Sequence, residues 1–180
     1  VCALMDLGFR INLTSIERNG KCREVLSQLF PDVVHYHSHD TTRVGSDLRG
    51  MSFDLMVETG PCVSFSRLAG SSAKGFQDTR ADATVSACDL KRDLLRVNPQ
   101  MSFLAENTVF PLHLAEDFDR LQDMYRVRKG GIFKHNAATT GEGASRPRVY
   151  AADFVDRSLI PMVEPVPSSI LLSRGAAPVD

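Results

Sequence analysis

Apolar residues recur along this chain in two rhythms, one of three to four residues and one of two, and the switching between them predicts alternating helices and strands. Val1 to Phe9 carries Leu4 and Leu7 at helical spacing and closes on Gly8, a helix stop. Ile11 to Ile16 alternates apolar and polar side chains as a strand does, then meets Glu17. Cys22, Val25, Leu26, Leu29 and Phe30 share one face of a helix that Pro31 ends. Val33 to His39 reads as a second strand running out at Asp40, and Phe53 to Val57 as a third. Asp82 to Val97 is helical with Val85, Cys88 and Leu95 inward, Met101 to Ala105 is a fourth strand, Leu112 to Tyr125 a helix, and Val149 to Phe154 a late strand. Strands alternating with helices predict an α/β fold whose mostly parallel sheet is doubly wound, with helices on both faces.

Composition changes this picture little. The chain has 180 residues, 43% hydrophobic and 24% charged, enough for one domain with a core. No apolar stretch reaches membrane-spanning length and no charged-then-apolar leader opens the chain, so a soluble, intracellular protein is expected, nuclear in a eukaryote and cytoplasmic in a prokaryote. Cys2, Cys22, Cys62 and Cys88 lack paired spacing, which argues against a zinc ribbon and fits reduced thiols. A net charge of −1 speaks weakly against nucleic acid. Yet Arg126, Arg128, Lys129, Lys134, Arg146 and Arg148 fall in a stretch whose only acid is Glu142, where a basic patch can form.

Four places invite a chemical reading. Cys62 follows the third strand on a loop held by Gly60 and Pro61, the place in an open sheet where ligands bind, and so reads as a nucleophile rather than as a small buried hydrophobe. Glu106 ends the apolar run Met101 to Ala105 abruptly, an acid set at the close of a predicted strand. Arg146 and Arg148 alternate, which places them on one strand face. His35, His37 and His39 also alternate before Asp40, a pattern that can hold a metal, although an exposed strand is the simpler reading and no metal is expected.

Taken in order, Gly60-Pro61-Cys62, Gly75-Phe76-Gln77-Asp78-Thr79-Arg80, Glu106-Asn107 and Arg146-Pro147-Arg148 resemble the signature blocks of the cytosine-5 DNA methyltransferases, over roughly residues 1 to 155. The resemblance implies a Rossmann-like fold, S-adenosylmethionine as cofactor, and methyl transfer to carbon 5 of a cytosine flipped from DNA. By position it implies Cys62 as the nucleophile, Glu106 as the acid serving ring nitrogen 3, and Arg146 and Arg148 as braces of the base. Glu17 would bind the cofactor ribose, Asp40 its adenine amino group, and Pro61 would pack on the adenine; Asp78 and Arg80 would be structural. Val63, Thr108 and Ala144 depart from the family pattern. Two neighbouring readings stay open, a transfer-RNA cytosine methyltransferase and a non-catalytic binding or regulatory subunit. The resemblance further implies a catalytic core, residues 1–155, lacking a Gly-rich cofactor loop. A Pro-containing tail, 156–180, would lead towards a recognition domain, which a second chain could supply.

Overall fold

The computed structural model describes residues 2–35, 46–66, 71–127, 131–136 and 146–154. The chain divides into two compact units, Val1–Met51 and Ser52–Asp180.

The first unit begins with helix α1, Cys2–Asp6. Gly8 ends it as the sequence predicts, since its φ of +86° lets its N–H reach the Met5 carbonyl while the Phe9 N–H reaches Leu4. Strand β1, Thr14–Ser15, then pairs in parallel with β2, Val34–His35, and α2, Gly20–Leu29, connects them. Asn19 caps α2, its Oδ1 accepting the Lys21 and Cys22 N–H groups at 2.9 and 3.4 Å. The inward face expected for α2 is not inward: none of its residues is buried, and Val25 and Leu29 are 52% and 63% exposed. A short helix, α3, spans Ser46–Arg49.

Among the described residues the second unit has four strands, β3 (Leu55–Glu58), β4 (Ser102–Thr108), β5 (Ile132–Asn136) and β6 (Pro147–Ala152), in the order β3-β4-β6-β5. β3 and β4 are parallel, whereas β6 is antiparallel to both of its neighbours. Three strands therefore run one way and β6 alone runs back. The sheet is mixed, not mostly parallel in its pairings, because β5 and β6 return as an antiparallel pair with β6 slotted between β4 and β5.

Pairing register and side-chain alternation sort this sheet into two faces. Met56, Glu58, Phe103, Ala105, Asn107 and Ala151 lie on one, against helices α4 (Asp82–Val97) and α5 (Ala115–Tyr125). Leu55, Val57, Leu104, Glu106, Arg148 and Tyr150 lie on the other, half-buried or exposed. The core sits on the helical face: Phe103 meets the Tyr125 ring, and the Lys91 ammonium of α4 lies 3.9 Å from the Phe103 ring centre. Lys91 also donates to the Tyr125 carbonyl, satisfying an end of α5 where Arg126 takes the left-handed conformation. Burial of Lys91 pushes its ammonium below the ordinary range.

Candidate active site

β3 and β4 are parallel and in register, Glu58 opposite Ala105, so the segments after them leave the same edge of the sheet. Cys62 stands four residues past β3, and Glu106 lies one residue beyond Ala105. The sequence places Glu106 after its strand; in the structure β4 continues through Glu106, Asn107 and Thr108, because Glu106 pairs opposite Tyr150 of β6. That pairing brings the Glu106 and Arg148 side chains to the same face. The Arg148 Nε lies 2.6 Å from Glu106 Oε1, a half-buried charge-assisted hydrogen bond.

Cys62 is partly accessible, and its carbonyl accepts the Phe65 N–H at 3.1 Å to start the 3-10 turn Val63–Phe65. Phe65 anchors that turn, since it is fully buried, stacks on Phe110 at 4.5 Å and meets Phe76 edge-on at 5.1 Å. The loop carrying the thiol is thus pinned to the segment that follows β4. Cys88 is the counter-example: burial, then the nearby Glu58, pushes its thiol up to about 12, which leaves it inert at neutral pH.

The Gly-Phe-Gln-Asp-Thr-Arg block is a support. Gly75 has φ +56°, and a β-carbon there would stand 2.4 Å from Asp117 Oδ2, so only glycine lets the backbone sit on the first turn of α5. Phe76 N–H donates to Asp117 Oδ1 at 3.1 Å, and the Arg120 guanidinium covers the Phe76 ring. Asp78 Oδ1 accepts the Arg80 N–H at 3.0 Å and thereby caps the turn Thr79–Ala81 leading into α4, while the Arg80 side chain holds the Asp78 carboxyl down at about 2.

Other expected site residues stand elsewhere. Arg146 precedes β6 rather than lying in it; its backbone N–H donates to Asn136 Oδ1 at 2.8 Å and its side chain is exposed. Glu17 belongs to the first unit, two residues past β1, half-buried, with Oε1 accepting the Asn19 N–H at 2.6 Å. Pro61 is exposed. Asp40, His37, His39, Ala144 and the tail 156–180 lie outside the described residues, as do Arg128, Lys129 and Glu142 of the basic stretch. Its described members divide: Lys134 faces α5, with its ammonium 6.0 Å from the Phe118 ring centre, whereas Arg148 points to the opposite face. Alternation along β5 and β6 therefore splits the basic residues between the two sides of the sheet.

The sequence reading missed Glu58 and Tyr125. Glu58 is 5% exposed and its Oε2 accepts the Tyr125 hydroxyl at 2.8 Å. Burial is the main cause that raises the Glu58 carboxyl to about 7; Tyr125 and the Gly60 N–H oppose the rise, and Glu106 adds to it. Tyr125 is itself raised, by burial and then by Glu58. Nothing in the pattern Met56-Val57-Glu58-Thr59 marks this acid as internal.

No family model matches the chain, and no curated protein matches it by sequence. Solved structures do. A protein described as a DNA modification methyltransferase encoded within an E. coli prophage superposes with a TM-score of 0.59 at 18% identity, covering 89% of this chain and 47% of its own. A triple mutant of Spodoptera frugiperda DNMT2 gives 0.60 at 17%, covering 92% and 53%. The Entamoeba histolytica methyltransferase EhMeth gives 0.53 at 19%, covering 87% and 49%. The chain thus has the fold of part of these methyltransferases and spans about half the length of each.

Proposed function

We propose that this chain carries the catalytic core of an S-adenosylmethionine-dependent methyltransferase acting on carbon 5 of cytosine in DNA. The observation that carries the reading is the parallel β3–β4 pair. Cys62, a partly accessible residue, follows β3 by four residues, and Glu106, held by Arg148, follows the Glu58–Ala105 pair by one, an arrangement that supports the reading. The shared fold with solved methyltransferases supports it.

In this reading the Cys62 thiolate adds to carbon 6 of a flipped cytosine, forming a carbon–sulfur bond and pushing electron density towards carbon 5. Glu106 enters this step as the carboxylic acid and donates its proton at ring nitrogen 3 as charge develops there, becoming the carboxylate that Arg148 holds in orientation. After carbon 5 is substituted, its proton leaves to solvent, the carbon–sulfur bond breaks to release Cys62 as the thiolate, and the nitrogen 3 proton returns to Glu106, restoring the ring. Glu17 fits a cofactor's ribose, since a half-buried carboxylate just past a strand end suits a diol, and one oxygen is already oriented by Asn19. The cofactor, when bound, supplies the electrophilic methyl group.

The test is covalent trapping. DNA containing 5-fluorocytosine blocks the final proton loss, so the protein should remain attached to it through Cys62. RNA oligonucleotides carrying the same base test the transfer-RNA variant, and failure with both, despite cofactor binding, would favour the non-catalytic reading.

A further inference from the structure

The carboxyl of Glu58 lies directly beneath the loop that carries Cys62. A β-carbon on Gly60 would stand 2.1 Å from Glu58 Oε1 and 2.6 Å from Thr84 Oγ1, so glycine alone lets the backbone close over these two side chains. Both of those oxygens are buried without a well-formed hydrogen bond, as is the Asn107 Nδ2 on the adjoining strand. Such groups are costly to bury, and a carboxyl among them responds strongly to protonation.

The titratable neighbours come from each element packed around Glu58. Tyr125 of α5 donates to its Oε2, Cys88 of α4 is raised by its charge, and Glu106 of β4 raises it in turn. Lys91, also on α4, donates to the Tyr125 carbonyl rather than to Glu58. Among the described residues no cation pairs with Glu58, and its ionisation places a negative charge beneath the loop that leads to Cys62.

We propose that Glu58 is a positioning residue for Cys62: anchored by the Tyr125 hydroxyl and seated under Gly60, its carboxyl sets the thiol loop and makes the reactivity of Cys62 depend on whether that carboxyl is ionised. The proposal rests on Cys62 being the reacting thiol, but its test does not require methyl transfer.

Alkylation of the full chain by iodoacetamide, followed by mass spectrometry of the Cys62 and Cys22 peptides between pH 5.5 and 9, gives their rate ratio with exposed Cys22 as internal reference. In the unmodified protein the ratio should bend near pH 7. Glu58→Gln should remove the bend and raise the ratio at pH 8 by about threefold or more, as expected on removing a like charge seated against Gly60 of the thiol loop. Tyr125→Phe should move the bend to higher pH, because the hydroxyl favours the ionised carboxyl. Superimposable profiles for the unmodified protein and Glu58→Gln, or an unmoved bend in Tyr125→Phe, would overturn the proposal. If these shifts appear while 5-fluorocytosine fails to trap the protein, the positioning role stands and the methyltransferase reading falls.

Discussion

Replacing Glu58 by Gln should stabilise the protein, and by an amount that grows with pH. The folded-state carboxyl titrates at about 7 against 4.5 for an unhindered glutamate, so between those values the folded state holds more protons than the unfolded chain. The contribution of this group is therefore fully present below pH 4.5, declines as pH rises, and is gone once pH passes about 7. At 1.4 kcal/mol per pKa unit the total loss is about 3 kcal/mol. Gln keeps the shape and the acceptor for Tyr125, and it offers an amide where Oε1 is buried near Thr84 without a well-formed hydrogen bond. Urea unfolding of both proteins at pH 4.5, 6 and 8, followed by circular dichroism, isolates the effect, since titrating groups not coupled to Glu58 cancel in the difference. The two stabilities should agree within about 1 kcal/mol at pH 4.5, and the variant should lead by roughly 2 to 4 kcal/mol at pH 8. Parallel pH profiles would refute the assignment of Glu58 as a strained internal carboxyl.

Further outcomes follow from single positions. Gly60→Ala should destabilise by about 1 to 3 kcal/mol in denaturant, because its new methyl meets Glu58 and Thr84 at the base of the thiol loop. Gly75→Ala should cost at least as much, combining the left-handed φ of +56° with contact to Asp117. In the native protein a disulfide reagent should modify Cys22 and Cys62 while Cys88 stays protected until unfolding. Glu106→Gln should slow adduct formation on 5-fluorocytosine DNA by ~10² to 10⁴, the usual effect of losing a general acid.

What could be read in advance divides along physical lines. Helix α4 was legible to the residue, Asp82 to Val97, because its apolar stripe is long and Asp78 and the following turn mark its start. The strands bearing the site were legible in position but not extent: the apolar run stops at Ala105, while the ladder to β6 carries β4 on through Thr108. β5 was missed since Ile132 to Asn136 is short and half polar, and its place depends on Gly131, where a β-carbon would stand 2.2 Å from the Ala152 carbonyl oxygen. Arg148 and Glu106 could be proposed as neighbours only through a family resemblance; their ion pair is a product of strand register. Glu58 was hidden because a lone acid after an apolar strand ordinarily faces water, and the Tyr125 hydroxyl that receives it inside lies 67 residues away in sequence.

The proposed chemistry turns on Cys62 forming the covalent bond. Incubation with S-adenosylmethionine and duplex DNA containing 5-fluorocytosine, followed by denaturing electrophoresis and peptide mass mapping, tests it most directly. A protein–DNA adduct located at Cys62 and absent from Cys62→Ser is expected; an adduct that persists in Cys62→Ser would rule this cysteine out as the nucleophile.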